Sequence, residues 1–238
     1  MLYIYISPAK ALKEESEVIF ETSKPVYQEE ANNLASTIKT FSLPYLKKVM
    51  GINEQLAQKV YDYYQDFNHN NAPALFKYNG LVYKQISPNT LNDEELDYLK
   101  KHLLIGSGLY GILKAFDGIS SYRLELNKRI KELGDLIAFY QHKISEYFNE
   151  DDIIINLASD EYSKLLNNVK AKIIKINFVK QNNERCSMLQ THGKIYRGRM
   201  VRFLATNFIE NCYDILCFQD KNLKLYSYDE HEITFMEV

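Results

Sequence analysis

The sequence predicts a mixed α/β (α+β) fold in which helices alternate with buried strands, and three observations carry that expectation. Residues 2–6 are apolar throughout and rich in β formers, and 153–157 is an isoleucine-rich run broken only by Asn156, as strands buried on both faces require. Between them lie longer segments whose apolar residues recur at helical spacing. No Gly/Ser-rich or Pro-rich linker, low-complexity tract or internal repeat divides the 238 residues, so one compact domain, 1–238, with an inserted helical arm is expected.

Taken in chain order, Leu2-Tyr3-Ile4-Tyr5-Ile6 reads as a buried strand, and Ser7-Pro8 supplies an N-cap and first-turn proline for the segment after it. Residues 26–41 are expected to be helical, with Leu34, Ile38 and Phe41 on one face. Two shorter helices, 44–50 and 54–67, flank Gly51-Ile52-Asn53. Residues 89–104 form a helix whose acidic first turn (Asp93, Glu94, Glu95) suits the positive end of the helix dipole. A helix over 136–148 leads into the strand at 153–157, and Ser159 caps the next helix. Residues 172–180 alternate as a strand partnered by 186–190, a helix spans 196–211, and short strands come after it near 215–218, 223–228 and 232–237.

A chain that is 46% hydrophobic and 25% charged has a globular composition, which excludes the disordered and membrane classes. No stretch approaches the roughly 20 apolar residues of a membrane helix. The opening apolar run is too short for a signal-peptide core and has no basic residue before it, so a cytoplasmic protein is expected. Cys186, Cys212 and Cys217 are an odd number without a C-x-x-C pair, which fits a reducing compartment. The histidines at 69, 102, 142, 192 and 231 are too scattered for a local metal motif, and neither a metal nor a cofactor is expected.

Net charge is only −2, but it is segregated: residues 162–209 hold ten basic residues and one acid, Glu184, a balance of +9 against −6 before them and −5 after. Such segregation focuses a local positive potential within an acidic whole. For 164–180 alone, a lysine-rich solvated face explains the pattern as well as a binding surface does.

The sharpest local pattern is Leu46-Lys47-Lys48-Val49-Met50-Gly51-Ile52-Asn53-Glu54-Gln55-Leu56-Ala57-Gln58-Lys59-Val60, which resembles a helix–hairpin–helix and places such an element at 44–67. Gly51 and Ala57 fall on the expected small positions, and Asn53 replaces the second glycine as a residue that tolerates a left-handed backbone. Such a hairpin offers free N–H groups and the helix dipole to a DNA phosphate, with Lys47, Lys48 and Lys59 flanking it. An ordinary helix–turn–helix corner whose glycine is only a C-cap meets the same pattern, and Glu54 competes for the anion position.

In Lys194-Ile195-Tyr196-Arg197-Gly198-Arg199-Met200-Val201-Arg202, Arg199 and Arg202 share a helix face, and the acid-free run from 185 to 209 leaves them no local partner. Guanidinium groups of that kind suit phosphate oxygens; pairing with acids distant in sequence is the alternative. If the strands at 2–6 and 153–157 are parallel neighbours, their carboxyl ends form a ligand crevice in which Lys10 faces Asn156 and Ser159, with Ser7 and Asp160 on its wall. Gly106-Ser107-Gly108-Leu109-Tyr110-Gly111 lacks P-loop or dinucleotide spacing and reads as a close-packed turn that brings Tyr110 to the crevice. Arg123 and Glu125 alternate along a short strand and point to one side, into the same crevice.

Together these segments resemble the YaaA family of bacterial peroxide-stress proteins nearly end to end. The family's Ser-Pro-Ala-Lys stands at 7–10, its Ser-Gly-Leu-Tyr-Gly at 107–111 and its Tyr-Arg-Leu-Glu at 122–125. Its Asn-Leu-Ala-Ser-x-Glu-Tyr run stands at 156–162 and its Lys-x-x-Arg-Gly-x-Met-x-Arg-Phe run at 194–203. Ile195 replaces a frequent second lysine, and Lys114-Ala115 replaces the usual Arg-Pro. The resemblance implies an α/β fold with a helix–hairpin–helix and a positively charged cleft, cytoplasmic location, duplex DNA binding, and protection against hydrogen peroxide by keeping free iron low.

The leading expectation is therefore a monomeric stress protein that grips duplex or distorted DNA without reading its sequence. The rival is an enzyme acting on a phosphorylated or nucleotide substrate, with Lys10, Arg123, Lys194, Arg197 and Arg202 as anion clamps and Glu125 or Asp160 as proton carrier. Direct iron storage needs carboxylate or histidine clusters on facing helices, and the sequence offers none.

Overall fold

The computed structural model describes residues 1–14, 20–69, 71–182 and 185–238. Its strands are β1 (Leu2–Ile6), β2 (Ala72–Pro73), β3 (Leu103–Ser107), β4 (Gly111–Lys114), β5 (Gly118–Ile119), β6 (Ile153–Asn156), β7 (Lys172–Asn182), β8 (Arg185–Met188), β9 (Leu223–Tyr228) and β10 (Glu232–Glu237). Its helices are α1 (Gln28–Lys39), α2 (Leu43–Met50), α3 (Glu54–Gln65), α4 (Ala74–Lys77), α5 (Leu81–Ile86), α6 (Asp93–His102), α7 (Leu136–Ser145), α8 (Asp160–Ser163) and α9 (Thr191–Thr206).

β1 forms where the sequence is apolar on both alternations, because it is the inner strand of a parallel set: Ile4 stands opposite Leu103 of β3 on one side and Ile155 of β6 on the other. The sheet runs β4-β3-β1-β6-β7-β10-β9, with β8 paired to β7. Only β4, β8 and β9 run antiparallel to their neighbours there, so the carboxyl ends of β1, β3, β6, β7 and β10 lie at one edge. α6 packs on β1, β3 and β4, and α9 packs on β7, α5 and α6. α1, α2 and α3 make the inserted helical arm, and one continuous core joins Ile38, Leu46, Met50 and Val60 of that arm to the sheet.

Several elements depart from the sequence reading. The helix expected over 89–104 begins at Asp93, behind a capping box in which Asn92 and Glu95 exchange side-chain-to-backbone hydrogen bonds. It stops at His102, and Leu103–Ser107 is a fully buried strand, since pairing with both β1 and β4 satisfies a backbone that a helix end would leave open. Ser7 caps no helix; its Oγ accepts from the Ser159 N–H at 2.8 Å and so ties the two parallel strands' exits together. Ser159 precedes α8 without a side-chain cap. Residues 122–125 pair with no described strand, and of 215–218 the first three fall in a 3-10 helix, Cys212–Cys217, that Phe218 ends. α9 starts at Thr191, which puts Lys194 in its first turn. Asn53 is extended (φ −73°) and not left-handed: its side-chain oxygen caps α3 by accepting from the Leu56 N–H at 2.9 Å. The left-handed residue of that corner is Gly51 alone (φ 61°). Glu184, the acid counted in the basic run, lies outside the described residues, as does the side chain of Arg185.

Candidate functional site

Where β1 and β6 end, the chain leaves a cavity of about 440 Å³. Four segments wall it: residues 7–11 after β1, 79–83 leading into α5, 122–125, and 157–162 after β6; Lys194 and Arg197 reach in from α9. The position is the one a parallel sheet offers by construction, since side chains beyond its carboxyl edge are held by short loops off rigid strands.

The cavity gathers four cations, Lys10, Arg123, Lys194 and Arg197, against two carboxylates, Glu125 and Glu161. Glu125 is buried, and its Oε1 accepts from Arg123 Nη2 at 2.8 Å and lies 3.3 Å from Lys10 Nζ. Its Oε2 is buried without a hydrogen-bond partner, as are Nε of Arg123 and Nε of Arg197. The Arg197 side chain has no hydrogen bond or ion pair with any described residue, and burial pushes its guanidinium pKa down, only partly offset by the charge of Asp160. Lys194 sits three residues before Arg197 on the same helix face, in a first turn that carries no acid. A cation there opposes the positive end of the helix dipole. Two unneutralised cations on one face, one of them desolvated, make a place where a bound anion relieves an electrostatic cost already built into the fold.

Buried tyrosines back this wall. Tyr122 donates to or accepts from Tyr78 at 2.6 Å and Ser107 at 2.7 Å, and burial pushes its pKa up to about 12. Tyr83 donates to the Ser7 carbonyl at 3.0 Å, holding the loop that carries Lys10.

Of the residues singled out in the sequence, Ser7, Lys10, Arg123, Glu125, Ser159, Lys194 and Arg197 converge here. Lys10 faces Glu125 and not Asn156. Asn156 is buried behind the wall, accepting from the Ala158 N–H and donating to Ser163. Tyr110 is fully buried, its hydroxyl accepting from the Ser120 N–H. Asp160 points outward and pairs with Lys175 at 3.4 Å. Arg199 and Arg202 share a face as expected, but that face meets α5. Arg199 binds Asp220 at 2.6 Å and Gln85 at 3.1 Å, while Arg202 donates to the carbonyls of Ile86 and Ser87 at the end of α5. Arg199→Ala is therefore expected to lower stability by about 1 kcal/mol while leaving anion binding intact, checked by thermal melting beside ligand titration. Residues 79–83 and Glu161 were missed as site residues. The available signal was Gly80 before a six-residue apolar-and-basic stretch stopped by Ser87-Pro88.

A second cationic place is the corner between α2 and α3. Gly51 ends α2, and Lys128 Nζ donates to the Met50 carbonyl at 2.6 Å beneath it. Lys47 pairs with Glu54 at 2.5 Å and Lys59 pairs with Glu14, whereas Lys48 is exposed and has no partner among the described residues. The corner is tied to the cavity along the chain: Tyr64 of α3 donates to the Arg123 carbonyl at 3.0 Å, and Lys128 lies three residues beyond Glu125. Among the described residues no helix is long and apolar enough to cross a membrane.

A family model described as peroxide stress protein YaaA matches residues 1–232. A UPF0246 protein of Rickettsia bellii is 37% identical over 217 residues, covering 87% of each chain. UPF0246 proteins of Francisella philomiragia and Lactobacillus helveticus are each 33% identical, covering 94% of both chains and 91% and 89% respectively. With a family model that matches nearly the whole chain and relatives at 33–37% identity over most of its length, this protein belongs to the peroxide stress protein YaaA family.

Proposed function

We propose that this protein defends the cytoplasm against peroxide stress, as a monomer, by holding the phosphate backbone of duplex or distorted DNA without reading its sequence. Membership of the peroxide stress family supports the protective role. The observation that carries the binding role is Arg197, a desolvated guanidinium at the mouth of a cavity with no partner among the described residues. Lys194 adds a second charge on the same face. At the α2–α3 corner, Lys48 and the first N–H groups of α3 left open by the Asn53 cap provide a further phosphate contact. Lys47 and Lys59 contribute after exchanging Glu54 and Glu14 for DNA. Limitation of free iron, the other property that the resemblance implies, is in this reading an indirect consequence of the DNA-bound state.

Fluorescence anisotropy of the full chain on straight, bulged and junction duplexes across a salt series tests the reading. The Lys194→Ala/Arg197→Ala double variant is expected to flatten the slope of log affinity against log salt by about 2, one per lost phosphate contact, and Lys48→Glu to flatten it by about 1. Failure of the unaltered protein to bind any duplex at low salt would sink the proposal.

A further inference from the structure

We infer that the cavity takes one unpaired nucleotide unit swung out of a distorted duplex, its phosphate on Arg197 and Lys194 and its base or sugar donating to Glu125. The inference rests on the DNA reading proposed for this site and names what enters it.

Size is the first ground. At about 440 Å³ the cavity lies within the roughly 300–1,000 Å³ range of small-ligand sites, whereas a duplex whose major groove alone is about 12 Å wide can only lie across the mouth. Chemistry is the second. A bare phosphate would use Arg197 and Lys194 but leave the apolar wall of Leu81, Val82, Leu124 and Leu157 wet, and it would be repelled by Glu125. A nucleotide has an anionic end, a flat apolar face and hydrogen-bond donors. Glu125 is only 6% exposed, and its Oε2 has no donor. An exocyclic amine of a base or a sugar hydroxyl supplies that donor, as when a carboxylate reads cytosine N4. Economy is the third: extrusion costs least for a nucleotide that is already unpaired, which ties an enclosed pocket to distorted DNA.

The test uses a duplex with one bulged 2-aminopurine nucleotide. The protein contains no tryptophan, so emission reports the DNA base. On binding, the bulged base is expected to lose its quenching by acrylamide, and the same base placed in a paired position is not. Arg197→Met, which removes no contact that the fold uses, and Glu125→Gln are both expected to restore quenching, with dCMP, the competitor, binding about tenfold more weakly to each. If the unaltered protein binds the duplex but the bulged base stays fully quenchable, the inference is overturned and the DNA reading stands. If no duplex binds at low salt, the DNA reading falls. In that case dCMP binding that both substitutions weaken about tenfold retains a nucleotide as the cavity's occupant, and no dCMP binding by the unaltered protein removes the nucleotide too.

Discussion

Arg197→Met is expected to weaken binding of any phosphate-bearing ligand by about 10- to 100-fold and to raise the melting temperature by about 2–4 °C. The two effects have one cause. A guanidinium that leaves water without gaining a carboxylate or carbonyl carries a desolvation cost, visible in the downward push that burial exerts on its pKa. A thioether in place of the guanidinium removes the charge, keeps an apolar stem where the arginine's stem packs, and returns about 1 kcal/mol to the fold, the lower end of what replacing a poorly compensated buried charge yields. The ligand supplies the missing counter-charge, so the same group that destabilises the free protein strengthens the complex by the roughly 1.5–3 kcal/mol of a charge-assisted hydrogen bond. Paired calorimetry of melting and binding checks both. A Tm that falls together with affinity would mean that Arg197 is an ordinary structural residue, and the anion site would lose its main support. Arg123 gives the contrast, since its guanidinium already holds Glu125, so Arg123→Met is expected to lower Tm.

The residues that meet in the cavity were legible from the sequence wherever their placement followed from the local chain. Leu2–Ile6 is apolar on both alternations and 153–155 is too, which suits parallel neighbours and puts Ser7, Lys10 and Ser159 at one edge. Arg123 and Glu125 point to the same place although 122–125 is no strand, because extended backbone alternates its side chains whether or not it is paired. What failed was whatever depended on a partner far away in the chain. Arg199 and Arg202 looked free because their acceptors, Asp220 and the end of α5, come from segments that no local count of acids includes. The strand Leu103–Ser107 is split in the sequence reading between the end of a helix (Leu103, Leu104) and a turn (Gly106, Ser107), since three apolar residues before a glycine carry no period that separates strand from helix. Asn53 was assigned the backbone of the glycine it replaces, when its side chain makes a better cap than a left-handed turn. The charge excess of 162–209 disperses for a related reason: Lys170 and Lys175 find Glu150 and Asp160 across the fold, and among the described basic side chains of that segment Lys194 and Arg197 alone reach the cavity.

Two glycines of α9 are expected to respond to alanine with opposite signs, and the larger response also disables the cavity. In the interior of a helix, glycine to alanine alone stabilises by about 1 kcal/mol through backbone entropy. At Gly193, in the first turn of α9, the gain is smaller, and the added Cβ would meet the nearest atom, Leu189 Cβ, at 3.4 Å, an ordinary contact, so that gain is expected to survive. At Gly198 it would come within 2.3 Å of the Val82 carbonyl oxygen and 2.6 Å of Gln85 Cβ, and the first of these is backbone that cannot swing aside. α5 must then move off α9, at an overpacking cost of about 1–3 kcal/mol or more, which exceeds the entropic gain. That movement carries Leu81, Val82 and Tyr83 away from the cavity and draws Gln85 from Arg199. Gly198→Ala should therefore lose both stability and ligand affinity although it alters no charged group, whereas Gly193→Ala, closer to Lys194, should keep both. Denaturant melts of the two variants alongside anisotropy titrations decide it. Equal behaviour of the pair would mean that the α5–α9 contact yields cheaply and is not what fixes the cavity's shape.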